Sequence, residues 1–259
     1  LSIGLKKNDK IIMPSMTFIA SYNIAKLLGA KVFLADIDKN TGQMTPKNVL
    51  QCCKKFNLKK IKAIVVMYNG GYPENAQNFT KLKKKLSCLI IEDACHALGA
   101  QYNSNKKNYK VGSCNNADIS TFSLHPLKTI TTGEGGIVTT NIKKIDEKIK
   151  KFRSLGISRD KRNHWKYDVL YTGFNFRLND FQCALGISQL KKIKLFLSYR
   201  KKIALKYDKE LKKINEISLP TYTKENTPAY HLYLLNIKNF NNKKKDLFIN
   251  YMKNKNIIL

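Results

Sequence analysis

Arginine is scarce in this chain of 259 residues. Of 48 basic residues only Arg153, Arg159, Arg162, Arg177 and Arg200 are arginine, leaving 43 lysines, and acids number 18, for a net charge of +30. Proteins that read nucleic acid lean on arginine for two-pronged contacts with phosphate and guanine. A lysine excess accompanied by 26 asparagines instead reads as a compositional drift over solvated faces, and no specific nucleic-acid partner is expected. Long apolar runs are absent as well: stretches such as 64–67 and 89–91 fall far short of the roughly 20 residues that cross a bilayer. No membrane segment is expected. Residues 1–4 are followed at once by lysines and an aspartate, unlike a secretion signal. The six cysteines, Cys52, Cys53, Cys88, Cys95, Cys114 and Cys183, form no C-x-x-C pair and no zinc spacing. They read as reduced thiols of a cytoplasmic protein.

With 43% hydrophobic residues distributed along its length, the chain is not a disordered polycation. It has no initiator methionine. Residues 1–4 read as the tail of a helix ending at Gly4 and residues 256–259 as a strand just beginning, so a fragment with material missing at both ends is expected.

Periodicity predicts a strand at 10–14, a helix from about 17 to 29 and a strand at 31–36. Thr45 and Pro46 mark the cap and first turn of a helix running through 56. The apolar, β-branched run 61–68 suits a strand buried on both faces. The turn-rich residues 69–73 precede a lysine-faced helix and a strand at 88–91. Alternation of this kind implies a mostly parallel sheet with helices on its faces. A hairpin turn at 103–106 and strands at 118–124 and 136–140 follow. Beyond 142 the chain reads as mainly helical, with a basic interruption at 159–166, a long helical segment over 180–214 broken near Ser198, and a linker at 220–228. A strand at 231–237 and a helix from about 242 complete it. The expected organisation is a large α/β domain over 1–178, connecting helices over 179–219, and the start of a smaller α+β domain over 220–259.

A parallel sheet binds ligands at the carboxyl ends of its strands, which singles out residues 16–18, 68–71, 92–96 and 123–136. A dinucleotide fold is excluded because no G-x-G-x-x-G follows a strand; Gly133-Glu-Gly-Gly136 precedes one. Asp93, ending an apolar strand, needs a partner. It reads either as a helix N-cap or, with His96 and Lys128, as the carboxylate that holds a proton on a pyridinium nitrogen and makes pyridoxal phosphate an electron sink. Lys128 reads either as one more solvated charge or as an amine that attacks a carbonyl. Ser123, Thr129, Thr131 and Thr132 could supply hydroxyls to a phosphate.

Three segments together resemble the nucleotide-sugar aminotransferases, the DegT-type branch of the fold type I pyridoxal-phosphate enzymes. They are Glu92-Asp-Ala-Cys-His-Ala-Leu-Gly-Ala100, Phe122-Ser-Leu-His-Pro-Leu-Lys-Thr-Ile-Thr-Thr-Gly-Glu-Gly-Gly136 and Gly173-Phe-Asn-Phe-Arg-Leu-Asn-Asp-Phe-Gln-Cys-Ala-Leu-Gly186. The resemblance extends over nearly the whole chain and implies an aspartate-aminotransferase-like large domain. It implies that Lys128 bonds the aldehyde of pyridoxal 5'-phosphate and shuttles the proton, that Asp93 pairs with the pyridine nitrogen, and that His96 lies beside the phenolic oxygen. It further implies that Phe18 stacks on the ring, that Ser123 binds the phosphate, and that Asn175 reaches the phosphate from a partner subunit, hence a homodimer with shared sites. Arg177 shares that last motif and has a structural reading. The family's N-terminal segment, with a G-T-x-A phosphate motif, and most of its small domain are expected to be missing.

Relatives that dehydrate sugars replace the lysine with histidine, so Lys128 favours transamination. The most similar branch is the C4-aminating one of pseudaminic acid biosynthesis, which implies a UDP-linked 4-keto-6-deoxy-N-acetylhexosamine as acceptor and L-glutamate as donor. The competing expectations are a sugar dehydratase with the same cofactor and a basic polyanion-binding protein on an idle scaffold.

Overall fold

The computed structural model describes residues 1–258 except 161 and 164. A six-stranded sheet forms its centre, in the order β2-β1-β3-β4-β7-β8. These strands are β1 (Lys10–Pro14), β2 (Lys31–Ala35), β3 (Ala63–Met67), β4 (Leu89–Asp93), β7 (Ile119–Ser123) and β8 (Gly136–Thr139). All neighbours are parallel except β8, which runs antiparallel to β7. Every residue of β3 is buried, as its run of apolar and β-branched side chains requires. The first crossovers are helices α1 (Ala20–Leu27), α2 (Pro46–Lys55) and α3 (Ala76–Leu86).

Helix α2 begins where Thr45 and Pro46 place it. The Asn48 N–H donates to Thr45 Oγ1 at 3.3 Å while Asn48 Oδ1 accepts the Thr45 N–H at 3.0 Å, closing a capping box. Its apolar side, Val49 and Cys52, joins Ile12, Ile64, Val66, Phe79 and Ile90 in the main core. A hairpin of β5 (Gln101–Ser104) and β6 (Lys107–Lys110) turns at residues 105 and 106, inside the expected span. After α4 (Lys143–Arg153) come β9 (Ile157–Arg159) and β10 (Tyr167–Val169), then α5 (Asp180–Lys191), α6 (Ile193–Leu211), β11 (Ile217–Ser218), β12 (Asn236–Ile237) and α7 (Asn242–Asn254).

Several boundaries differ from the sequence reading. Helix α1 starts at Ala20 instead of near residue 17, because the Ser15 N–H donates to the Ala35 carbonyl at 2.8 Å and carries the chain along β2 first. Strand β4 runs on to Asp93, because Glu92 finds buried hydrogen-bond partners on neighbouring strands. The basic interruption contains a hairpin, β9 with β10; residues 161 and 164 of it lie outside the described residues. The long helix breaks at Lys192, whereas Ser198 lies within α6, its hydroxyl donating to the Leu195 carbonyl at 2.7 Å. Only Asn236 and Ile237 of the expected strand at 231–237 pair as one, since the His231 N–H donates to the Gly70 carbonyl. Residues 1–4 form a turn closed by the Gly4 N–H and the Leu1 carbonyl at 2.8 Å, not a helix. Residues 257 and 258 are not in a strand, and 259 lies outside the described residues.

The segment 220–228 is held firmly for a linker. The Thr223 N–H and hydroxyl and the Asn226 amide all donate to the buried Glu74 carboxylate, at 3.1, 2.6 and 3.1 Å.

Candidate active site

The chain leaves β1 toward β2 on one side and returns to β3 on the other, so the sheet order reverses between β1 and β3. A crevice opens at such a switch point, outside the carboxyl ends of the strands. Its walls are the loops after β1, β3, β4 and β7. The Thr17 hydroxyl donates to Met67 Sδ at 3.1 Å and the Asn69 amide to Met16 Sδ at 3.4 Å, tying the first two loops together. Phe18 stands at the rim with 67% of its surface exposed.

Asp93 is the last residue of β4 and is 7% exposed, between Met67 of β3 and Thr121 of β7 in register. No helix follows it. Its Oδ1 accepts the Cys95 N–H at 3.2 Å in a side-chain turn, which replaces the N-cap reading. Oδ2 accepts from the Ser21 hydroxyl at the start of α1 at 3.4 Å. Lys128 is half-buried in the β7–β8 loop, its N–H bonded to the His125 carbonyl at 2.9 Å. Its ammonium is near enough to Cys95, His96 and His231 to lower the pKa of all three. Burial first, and then the Asp93 carboxylate, push the Cys95 thiol up to about 12, keeping it protonated.

His96 is nearly buried and its Nδ1 accepts the Gly70 N–H at 3.3 Å. A neutral ring that accepts at Nδ1 carries its proton on Nε2. Burial, then His231 and Lys128, hold the His96 pKa down to about 3. Ser123 Oγ accepts the His125 N–H at 3.3 Å, leaving its own proton to donate. Thr131 and Thr132 do not share that freedom. Their hydroxyls donate to the Leu124 and Glu134 carbonyls at 3.0 and 2.7 Å, so they staple the loop, and Thr129 is buried.

Sequence reasoning missed the residues that hold this arrangement from behind. Gln43, 3% exposed, clamps Asn69 by donating Nε2 to its carbonyl at 2.8 Å and accepting its N–H at 3.0 Å. Gly71 has φ +92°, and a Cβ there would lie 2.5 Å from the His96 carbonyl oxygen. The signal for this pair of loops was the Asn69-Gly-Gly-Tyr-Pro73 turn. His231 sits with its ring centroid 4.3 Å from that of His96, and its backbone is held by Arg200, whose Nη1 donates to the Tyr230 and His231 carbonyls at 3.4 and 3.3 Å. Nothing in the local sequence marks those two.

Asn175 is not brought to the crevice by hydrogen bonds among the described residues. It is exposed and forms a β-bridge with Ser154 at the end of α4, and Arg177 nearby is exposed as well. Beside it Phe174 and Phe176 stack at 4.7 Å and 3°, and Phe181 is 88% exposed.

The donor set suits a pyridoxal-type group: a carboxylate at a strand end, an ammonium near enough to act on Cys95 and His96 just after it, a ring N–H, a hydroxyl with its own proton to donate and an exposed aromatic face. The chain is 41% identical over 251 residues to the UDP-4-amino-4,6-dideoxy-N-acetyl-beta-L-altrosamine transaminase of Campylobacter jejuni serotype O:23/36, covering 95% of this chain and 63% of that protein. It is 34% identical to the GDP-perosamine synthase of Escherichia coli O157:H7, over 90% of this chain and 59% of that protein. The solved structure of Helicobacter pylori PseC, an aminotransferase involved in the biosynthesis of pseudoaminic acid, superposes with a TM-score of 0.85 at 32% identity, over 96% of this chain and 64% of that one. The chain thus spans somewhat under two thirds of the length of these relatives. The DegT/DnrJ/EryC1/StrS aminotransferase family matches residues 1–258, and the chain belongs to that family.

Proposed function

We propose that this chain carries the cofactor half of a pyridoxal-phosphate-dependent aminotransferase that moves the amino group of L-glutamate to the keto carbon of a nucleotide-linked 4-keto-6-deoxy sugar. The identity to the altrosamine transaminase favours a UDP-linked N-acetylhexosamine and amination at C4. When bound, pyridoxal phosphate supplies an aldehyde carbon and an electron-withdrawing ring. The observation that supports this reading is that Asp93 ends β4 beside β7, while Lys128, in the loop after β7, is near enough to Cys95 and His96 to act on both.

Each residue then has a task its surroundings allow. Lys128 Nζ would hold the cofactor through its aldehyde and, once freed, would be the base that moves the proton. Asp93 Oδ2 holds a proton on the ring nitrogen. His96 Nε2–H donates to the phenolic oxygen, and Phe18 covers a ring face. Ser123 Oγ–H donates to the phosphate, joined by Asn175 from a second copy of the chain, whose approach would cover Phe174, Phe176 and Phe181. A homodimer in the cytoplasm, where nucleotide sugars and glutamate are available, belongs to the same reading. So does the division into a cofactor domain over 1–178, connecting helices over 179–219 and part of a smaller domain from 220.

The test is to mix the protein with pyridoxal phosphate, trap with borohydride and map the added mass. Addition at Lys128, lost in Lys128→Ala, is expected; trapping on other lysines alone sinks the reading. Incubation with glutamate and a panel of UDP-, dTDP- and GDP-4-keto sugars then reads the acceptor. Nitrogen retained in the product separates transamination from dehydration.

A further inference from the structure

His231 is far from the cofactor motifs in sequence, yet its ring lies against that of His96, with centroids 4.3 Å apart and planes tilted by 38°. Two constraints place it there. Its backbone N–H donates to the Gly70 carbonyl at 2.8 Å, and its carbonyl accepts from Arg200 of α6 at 3.3 Å. Gly70 in turn gives its own N–H to His96 Nδ1, so a single glycine peptide unit and its neighbour hold both histidines. Among the described residues the His231 Nδ1 is buried without a hydrogen-bond partner, so the ring meets its surroundings there by packing alone.

We propose that His231 is a positioning residue for His96: by covering one face of its ring it excludes water and keeps His96 neutral, with the proton on Nε2. The cations around the pair favour that state. Lys128, from the β7–β8 loop, acts on both histidines, and Arg200, from α6, acts on His231. Asp93, at the end of β4, is the charge of opposite sign, and the Cys95 thiol just after it is held protonated. Burial is the leading cause of the lowered pKa of both rings, about 3 for His96 and about 4 for His231, with the cations adding to it. A neutral His96 can accept from Gly70 and donate from Nε2 at once. A protonated one would lose the Gly70 bond, because both nitrogens would then be donors.

The consequence for His96 as a donor to the cofactor rests on the proposed function; the charge state itself does not. It is therefore measured on the protein without cofactor, by nitrogen NMR of labelled histidine across pH, in the native chain, His231→Phe and His231→Ala. His96 is expected to remain neutral with its proton on Nε2 in the native chain and in His231→Phe, which keeps a covering ring. In His231→Ala its midpoint should move from about 3 toward the ordinary 6.5. An unchanged His96 titration in folded His231→Ala, or the same rise in His231→Phe, overturns the proposal. Failure of Lys128 to capture pyridoxal phosphate would overturn the proposed function and leave this result standing.

Discussion

The Tyr68 hydroxyl donates to Oε1 of Glu92 at 2.7 Å, joining the residue after β3 to the penultimate residue of β4. Ser120 of β7 donates to the other oxygen, so a carboxyl group only 1% exposed is satisfied across three strands. Burial pushes the Glu92 pKa up, and these two bonds oppose it. Glu92 thus braces the back of the sheet end whose neighbour, Asp93, opens into the crevice.

Tyr68→Phe keeps the ring and removes one donor from this buried acceptor. Leaving such a group short of a partner costs about 1–3 kcal/mol. Urea unfolding should show a lower midpoint at unchanged slope. Capture of pyridoxal phosphate by Lys128 should persist, because Tyr68 lies outside the crevice contacts.

Gly71→Ala and Gly133→Ala separate backbone strain from collision. Both glycines have positive φ, +92° and +79°, so each substitution carries a left-handed penalty of about 1–3 kcal/mol. Only at Gly71 would the new Cβ meet the His96 carbonyl, at 2.5 Å, whereas nothing lies within 4 Å at Gly133. Gly71→Ala should therefore destabilise more, and should also weaken pyridoxal-phosphate binding measured by absorbance.

Glu74→Ala removes the acceptor for three donors from residues 223 and 226. Hydrogen bonds to a charged group contribute about 1.5–3 kcal/mol each. Local opening of 220–228 should rise by about tenfold or more, read as faster proteolytic nicking in that segment under native conditions.

Acid should weaken the fold through the paired histidines. In the unfolded chain each takes up a proton near pH 6.5, while in the folded chain each waits until about pH 3 or 4. Between these values the unfolded state binds more protons, so stability from the neutral rings is complete above 6.5 and declines as pH falls toward the folded values. Urea midpoints measured at pH 7.5 and 5.0 should fall more for the native chain than for a His96→Gln, His231→Gln double variant. Equal losses would show that the histidines carry no such linkage.

Local chemistry made much of this molecule legible. The apolar β-branched run around β3 could only be a buried strand, and Thr45 with Pro46 could only begin a helix at little cost. The Asn69-Gly-Gly turn marked a loop that needs positive φ. Boundaries went astray where distant partners intervened. Ser15 stays out of the helix while its N–H donates to the Ala35 carbonyl of β2, and Glu92 remains in a strand because Tyr68 and Ser120 satisfy its carboxylate.

For the site, three sequence segments resembled the aminotransferase family to which the chain belongs, and that resemblance proposed Lys128, Asp93, His96 and Ser123 as a set. Tertiary structure decided which of their atoms remain available. It committed Thr131 and Thr132 to the loop, set Asp93 Oδ2 against the Ser21 hydroxyl, and made His96 Nδ1 the acceptor of the Gly70 N–H. It also brought His231 and Arg200 behind His96, a juxtaposition that arises from packing between segments far apart in the chain and that no local pattern can encode.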